Sequence, residues 1–233
     1  MNEPCSSPDA LELAALRHDW LDLISQPGDE LDQLALLEAG KRRRTGGSVS
    51  ALQIDCGDAV LALRLARAGA QVLAVDADAA TGVPLQQAAA ALGVTADFRF
   101  QVWSPEYCQD TTPLPGAPFD IVACPHSLSG MPYGHAHNLL RRLAMMTKIG
   151  GKLFISAYGV HSALSEAYPD ENQPVRQRFA PLAPHIASKY GITQAVCLYS
   201  ERDLFLLLFE AGLSVVKTFS TTHGNVKAIA VRV

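Results

Sequence analysis

Residues 50–76, SALQIDCGDAVLALRLARAGAQVLAVD, constrain the fold more than any other stretch of this chain. An apolar, strand-sized run leads through a tight turn into a helical stretch that stops at Gly69, and a second apolar run closes on Asp76. Two strands joined by a crossover helix pair in parallel, with a right-handed connection. The turn reads Asp55, Cys56, Gly57, Asp58, Ala59, one glycine where turns that cradle a nucleoside carry a cluster.

The alternation continues. Apolar runs at 51–54, 71–75, 98–102, 119–124 and 152–157 predict strands, and helices are predicted over about 59–68, 80–92 and 136–147. Gly93 ends the second of these helices, and Gly150 with Gly151 predicts a turn into the fifth strand. Units of this kind imply a parallel sheet with helices on both faces, and ligands bind at the carboxyl ends of its strands. Residues 159–199 break the rhythm, carrying Pro169, Pro174, Pro181 and Pro184 without a clean period, so they read as a substrate or lid segment. Ser200 then caps the helix ERDLFLLLFEAG, and strands at 213–219 and 228–233 follow, joined by the short turn TTHGNV that makes them antiparallel. Ahead of the alternation, helices are predicted over 8–24 and about 29–39, the second stopped by Gly40. The expected organisation is an N-terminal helical cap over residues 1–45 and an α/β domain over 46–233.

Charge and cysteine usage narrow the partners. A net charge of −4 argues against a broad nucleic-acid footprint. The one basic cluster, Lys41, Arg42, Arg43 and Arg44, is either a solvated edge or a contact for an anion. No apolar run approaches the ~20 residues of a membrane span, and the start MNEPCSSPDALE is polar and acidic, unlike a secretory leader. The five cysteines lack CxxC spacing, and Cys56 and Cys124, in apolar strand ends, read as buried, reduced and inert, so a cytoplasmic location is expected.

The segments LQIDCGDAVLALRLARAG, VLAVDAD, PFDIVACPHSLSGMP, KIGGKLFIS and YSERDLFLLLFEAGLSVV together resemble the class I S-adenosylmethionine-dependent methyltransferases. The closing segment is also similar to the small-molecule branch that includes tellurite-resistance enzymes. The resemblance implies a three-layer Rossmann-like fold with a seven-stranded, mostly parallel sheet in the order 3-2-1-4-5-7-6, strand 7 antiparallel, and the N-terminal helices as a cap. Counted back from Gly69 and Asp76, the family's strand 1 acid falls on Gln53 and its three glycines on Asp55, Gly57 and Ala59. The competing register, with Asp55 as the acid, needs a two-residue deletion that would turn the following helix by about 200° and misplace its apolar face.

The resemblance also assigns roles. S-adenosyl-L-methionine is the implied cofactor, held by Asp55, Gly57, Asp76, Ala77, Trp103, Ser104 and Pro125. Asp76 is expected to accept hydrogen bonds from both ribose hydroxyls, with Asp78 free to cap the next helix. Asp55 places a carboxylate near the cofactor's carboxylate, or against its methionine ammonium. Ser104 falls near the adenine amino group, and Trp103 either stacks on the base or belongs to the core. His126 is the candidate base or hydrogen-bond donor. Tyr133, His161 and Tyr168 are pocket candidates by position. His126, His135 and His137 lack metal-ligand spacing, so no metal is expected. The expected activity is methyl transfer to a small-molecule acceptor, with no nucleic acid or membrane as partner and a homodimer as the expected assembly. The rival expectation is a methyltransferase-like protein without that activity, acting as a regulatory or scaffolding partner or reusing the fold for another reaction. It rests on the departures at Gln53, Asp55, Ala59 and Ser104.

Overall fold

A computed structural model describes residues 20–21, 23–26, 28–104, 113–125, 127–169 and 173–233. The strands are β1 (Val49–Ile54), β2 (Ala70–Asp76), β3 (Phe98–Val102), β4 (Phe119–Pro125), β5 (Thr147–Ala157), β6 (Ser214–Ser220) and β7 (Val226–Val231). They form one seven-stranded sheet in the order β3-β2-β1-β4-β5-β7-β6. β1 pairs in parallel with β2 and β4, and β7 is antiparallel to both β5 and β6. The expected order and the antiparallel insertion are both present.

Helices cover both faces, which is why the central strands are apolar almost throughout. On one face Leu52, Ile54, Val122, Cys124, Leu153 and Ile155 meet α4 (Tyr133–Met145) and α6 (Glu201–Glu210). The alternate residues Val49, Ala51, Ile121, Ala123 and Phe154 point the other way. There they meet α1 (Glu30–Arg44), α2 (Val60–Arg67) and α3 (Gly82–Ala91). Most of the predicted first helix lies outside the described residues; Trp20, Leu21 and Ile24 pack against this second core.

Three elements depart from expectation. Gly40 does not stop α1, which runs on to Arg44 because the basic run finds partners on the sheet. Arg42 bonds Glu38 (2.8 Å) and the Gly150 carbonyl (2.5 Å) and lies 3.4 Å from Asp120, while Arg43 donates to the Ala68 carbonyl. Those bonds also settle the basic cluster: Arg42 and Arg43 are structural, at the amino-terminal edge of the sheet away from the carboxyl ends. α1 therefore lies along the sheet face, and only its first turn and the residues before it reach the cavity described below. The Gly150-Gly151 turn is absorbed into β5, which starts at Thr147 with a register shift against β4. Residues 159–199 carry α5 (Pro184–Tyr190) and their own core of Leu164, Tyr168, Leu182, Ile186, Val196 and Leu198. Arg178 bonds the Leu198 carbonyl within the segment (2.8 Å) and ties it to the body through Asp203 (3.1 Å).

Candidate functional site

The turn after β1 has an unusual backbone. Asp55, Gly57 and Ala59 take positive φ of 45°, 51° and 50°. These are the three positions that the spacing to Gly69 and Asp76 assigned to glycine, so the expected register holds although two of them carry a side chain. Left-handed backbone costs an ordinary L-residue about 1–2 kcal/mol and is easier for Asp than for Ala. At Gly57 a Cβ would meet nothing within 4 Å, so the turn is open on its outer side.

Ala59 is the N-cap of α2 and supplies no side-chain bond. Gln53, buried at 5% exposure, takes over that duty from the strand below. Its Oε1 accepts from the Ala62 N–H at 2.8 Å, and its Nε2 donates to the Cys56 carbonyl at 3.4 Å. The residue standing where the family carries an acid thus holds the helix and the turn. Asp58 accepts from the Val60 N–H at 3.3 Å, a helix-start role.

Asp76 closes β2 and binds the turn from the side. Its Oδ2 accepts from the Gly57 N–H and its Oδ1 from the Asp78 N–H, both at 3.0 Å. Asp78 caps the next short turn through the Ala80 N–H at 2.8 Å. The cap and the candidate ribose acceptor are therefore different carboxylates.

Asp55, Gly57, Ala77, Ser104 and Pro125 line one cavity at the carboxyl ends of the strands, and Asp76 stands next to it. Other candidates sit elsewhere. Trp103 is core, 7% exposed, with the Arg142 guanidinium 5.4 Å over its ring, and is not part of the cavity wall. Tyr133 turns away to donate to Glu210 at 2.8 Å, beneath the Arg176 guanidinium. Tyr168 is buried in the core of the 159–199 segment, donating to the Val196 carbonyl at 2.6 Å. His161 is exposed and away from the cavity wall. His126 lies outside the described residues. Ser127, Met131, Tyr158, Phe179 and Gln194 line the cavity and were missed. Tyr158 follows β5 directly, a positional signal; Phe179 and Gln194 had none, since the fold of their segment brings them there.

Burial pushes the Asp55 carboxyl above its ordinary value; a hydrogen bond from Ser127 counters this and the charge of Asp76 adds to it. Burial, with the charge of Asp76, pushes the Cys56 thiol up to about 12. Cys124 is likewise pushed to about 12 by burial, so both stay protonated thiols, the inert state expected from sequence. Among the described residues no group of three His, Cys, Asp or Glu side chains could hold a metal ion. No helix among them is long and apolar enough to cross a membrane.

Comparison with known proteins agrees with this geometry. Residues 51–151 match the family described as "Methyltransferase domain". The ubiquinone biosynthesis O-methyltransferase of Xanthomonas axonopodis pv. citri (strain 306) is 30% identical over 147 residues, 62% of this chain and 58% of that protein. The chain thus aligns with less than two thirds of that relative's length. A S-adenosylmethionine-dependent methyltransferase from Clostridium acetobutylicum ATCC 824 superposes with a TM-score of 0.64 at 12% identity, covering 93% of this chain and 97% of that one. The magnesium protoporphyrin IX methyltransferase of Synechocystis PCC 6803, solved with bound SAH, gives a TM-score of 0.56 at 19% identity, covering 98% and 90%. Sheet order, the position of the cavity and these likenesses together support kinship with the class I S-adenosylmethionine-dependent methyltransferases, with the methyltransferase-domain match spanning residues 51–151.

Proposed function

We propose that this chain binds S-adenosylmethionine and transfers its methyl group to a small-molecule acceptor, an oxygen nucleophile by the names its relatives carry. The observation that carries this reading is the turn: three left-handed positions in the family's register, beside a carboxylate at the end of β2. The residues present fit the cofactor. The open space outside Gly57 leaves room for close approach, and Asp76 offers acceptors where a ribose would present its hydroxyls. When bound, the cofactor supplies a methyl activated on a sulfonium.

What the chain itself must do is position and exclude water, because in-line methyl displacement needs a base only where the acceptor must lose a proton. Met131, Tyr158 and Phe179 give the cavity an apolar wall suited to a flat, weakly charged acceptor. Phe179 and Gln194 come from the 159–199 segment, which supports its reading as the substrate segment. His135 also lines the cavity and is a side chain able to take a proton from an acceptor hydroxyl.

One observation favours the rival reading: the Asp55 side chain occupies the place of a glycine on the cavity wall. The test is transfer of radiolabelled methyl from S-adenosylmethionine to a panel of phenols and catechols. Extractable labelled product, suppressed by excess S-adenosylhomocysteine, is the expected result. Tight cofactor binding with no transfer to oxygen, nitrogen or sulfur acceptors would favour the non-catalytic reading.

A further inference from the structure

Asp55 is costly where it stands, and among its described surroundings a hydrogen bond from Ser127 offsets only part of the cost. Its backbone is left-handed at φ 45° and its side chain is half-buried on the cavity wall. Its neighbours are the Ser127 hydroxyl and the Asp76 carboxylate, and Asp58 adds a third carboxylate on the same turn. Among the described residues no Lys or Arg pairs with it. Arg64, one of the cations that line the cavity, is committed elsewhere. Its guanidinium donates to the carbonyls of Leu23 (3.3 Å), Ile24 (3.1 Å) and Gln26 (2.5 Å) and lies 3.5 Å from Asp32. A strained carboxylate that faces a ligand cavity without a paired cation is an arrangement whose remaining compensation is expected to arrive with the ligand.

We propose that the Asp55 carboxylate selects the cationic, methyl-bearing cofactor over its neutral-sulfur, demethylated product. This rests on the function proposed above. S-adenosylmethionine and S-adenosylhomocysteine share adenosine, ammonium and carboxylate, and differ by one methyl and the positive charge on sulfur. A fixed carboxylate on the wall of the cavity lowers the free energy of the charged ligand and leaves the thioether nearly unaffected. A glycine at this position would provide no such preference. The consequence is a product that fresh S-adenosylmethionine displaces more readily than it would from a glycine-only turn.

Titration calorimetry with S-adenosylmethionine and S-adenosylhomocysteine, on wild type and on Asp55→Asn, reads the effect directly. Asparagine tolerates the left-handed backbone and keeps an acceptor for Ser127, so a merely structural role would leave the ratio of the two affinities unchanged. The expected result is about a tenfold loss for S-adenosylmethionine, about 1.4 kcal/mol, and less than a threefold change for S-adenosylhomocysteine. Asp55→Gly, whose backbone the turn already accommodates, should give the same ratio. On wild type alone, the preference should shrink as pH falls and the Asp55 carboxyl takes up a proton. Asp58 and Asp76 share that field, so the pH effect should be much weaker, though not absent, in Asp55→Asn; Cys56 and Cys124 remain thiols throughout. Equal loss for both ligands, or none, would overturn the selection while leaving cofactor binding intact. Wild type binding neither ligand at millimolar concentration would overturn the proposed function itself.

Discussion

Replacing Gln53 by leucine tests whether the residue in the family's acid position serves the fold or the ligand. The side chain is 5% exposed, and its Oε1 accepts from the Ala62 N–H at 2.8 Å. The first N–H of α2 with an acceptor in its own chain ladder is that of Leu63, which donates to the Ala59 carbonyl at 2.9 Å. The Ala62 N–H therefore has Gln53 as its acceptor, and Ala59 cannot cap. Leucine keeps the volume and leaves that buried donor unpaired, a cost of about 1–3 kcal/mol, against a small gain from the added apolar contact. A net loss of about 2 kcal/mol is expected, a fall of about 0.7–1 M in the urea midpoint at an unchanged slope of about 2–3 kcal/mol/M. Gln53→Glu retains the acceptor at a helix N-terminus and should lose less, about 1 kcal/mol, despite the nearby Asp55 and Asp76. Urea unfolding followed by circular dichroism measures both. An unchanged midpoint in Gln53→Leu, with cofactor affinity lost, would show that Gln53 touches the ligand and refute the capping account.

Two further outcomes follow from carboxylates at the start of α1. Burial, then the charge of Asp29, pushes the Asp32 carboxyl up to about 6, so its ionised form burdens the fold at neutral pH. An unfolded Asp titrates near 3.9, so the burden is fully present above about pH 6 and absent below about pH 4. Asp32→Asn should stabilise by about 1 kcal/mol at pH 7 and by nothing at pH 4, read as thermal midpoints at the two pH values. Asp29 accepts from the N–H groups of Leu31 (2.8 Å) and Asp32 (3.0 Å) and pairs at 2.5 Å with Lys227, whose side chain is 4% exposed. Asp29→Ala removes a helix cap and strands a buried ammonium, an expected loss of about 2–3 kcal/mol, with Asp29→Asn losing less because it keeps the cap. Denaturant midpoints of the two variants check the ordering.

What could be read from the residues was what local spacing carries. β1, β2 and β4 are near-continuous apolar runs because helices cover both faces, and β6 and β7 had to pair because a short turn joins them. The register of the turn was legible from the distances to Gly69 and Asp76, even though Asp55 and Ala59 contradict the usual preference for glycine at positive φ. Side-chain direction was not legible. Tyr133 and Trp103 sit beside the cavity in sequence, yet one answers to Glu210, 77 positions away, and the other to the core and Arg142. Gly40 read as a stop because the bond from Arg42 to Asp120, across 78 positions, leaves no mark on the local pattern. Phe179 and Gln194 reach the cavity only once their segment has folded on its own small core.

The central claim is that a turn with side chains at two of its three left-handed positions still admits the cofactor beside Asp76. Calorimetric titration of S-adenosylmethionine into wild type and Asp76→Ala tests it most directly. Saturable binding to wild type is predicted, weakened in Asp76→Ala by about 2–4 kcal/mol, or about 30- to 1,000-fold, for two lost charge-assisted bonds. No heat from wild type at millimolar cofactor, with binding restored by Asp55→Gly plus Ala59→Gly, would contradict the account and show a site closed by those two side chains.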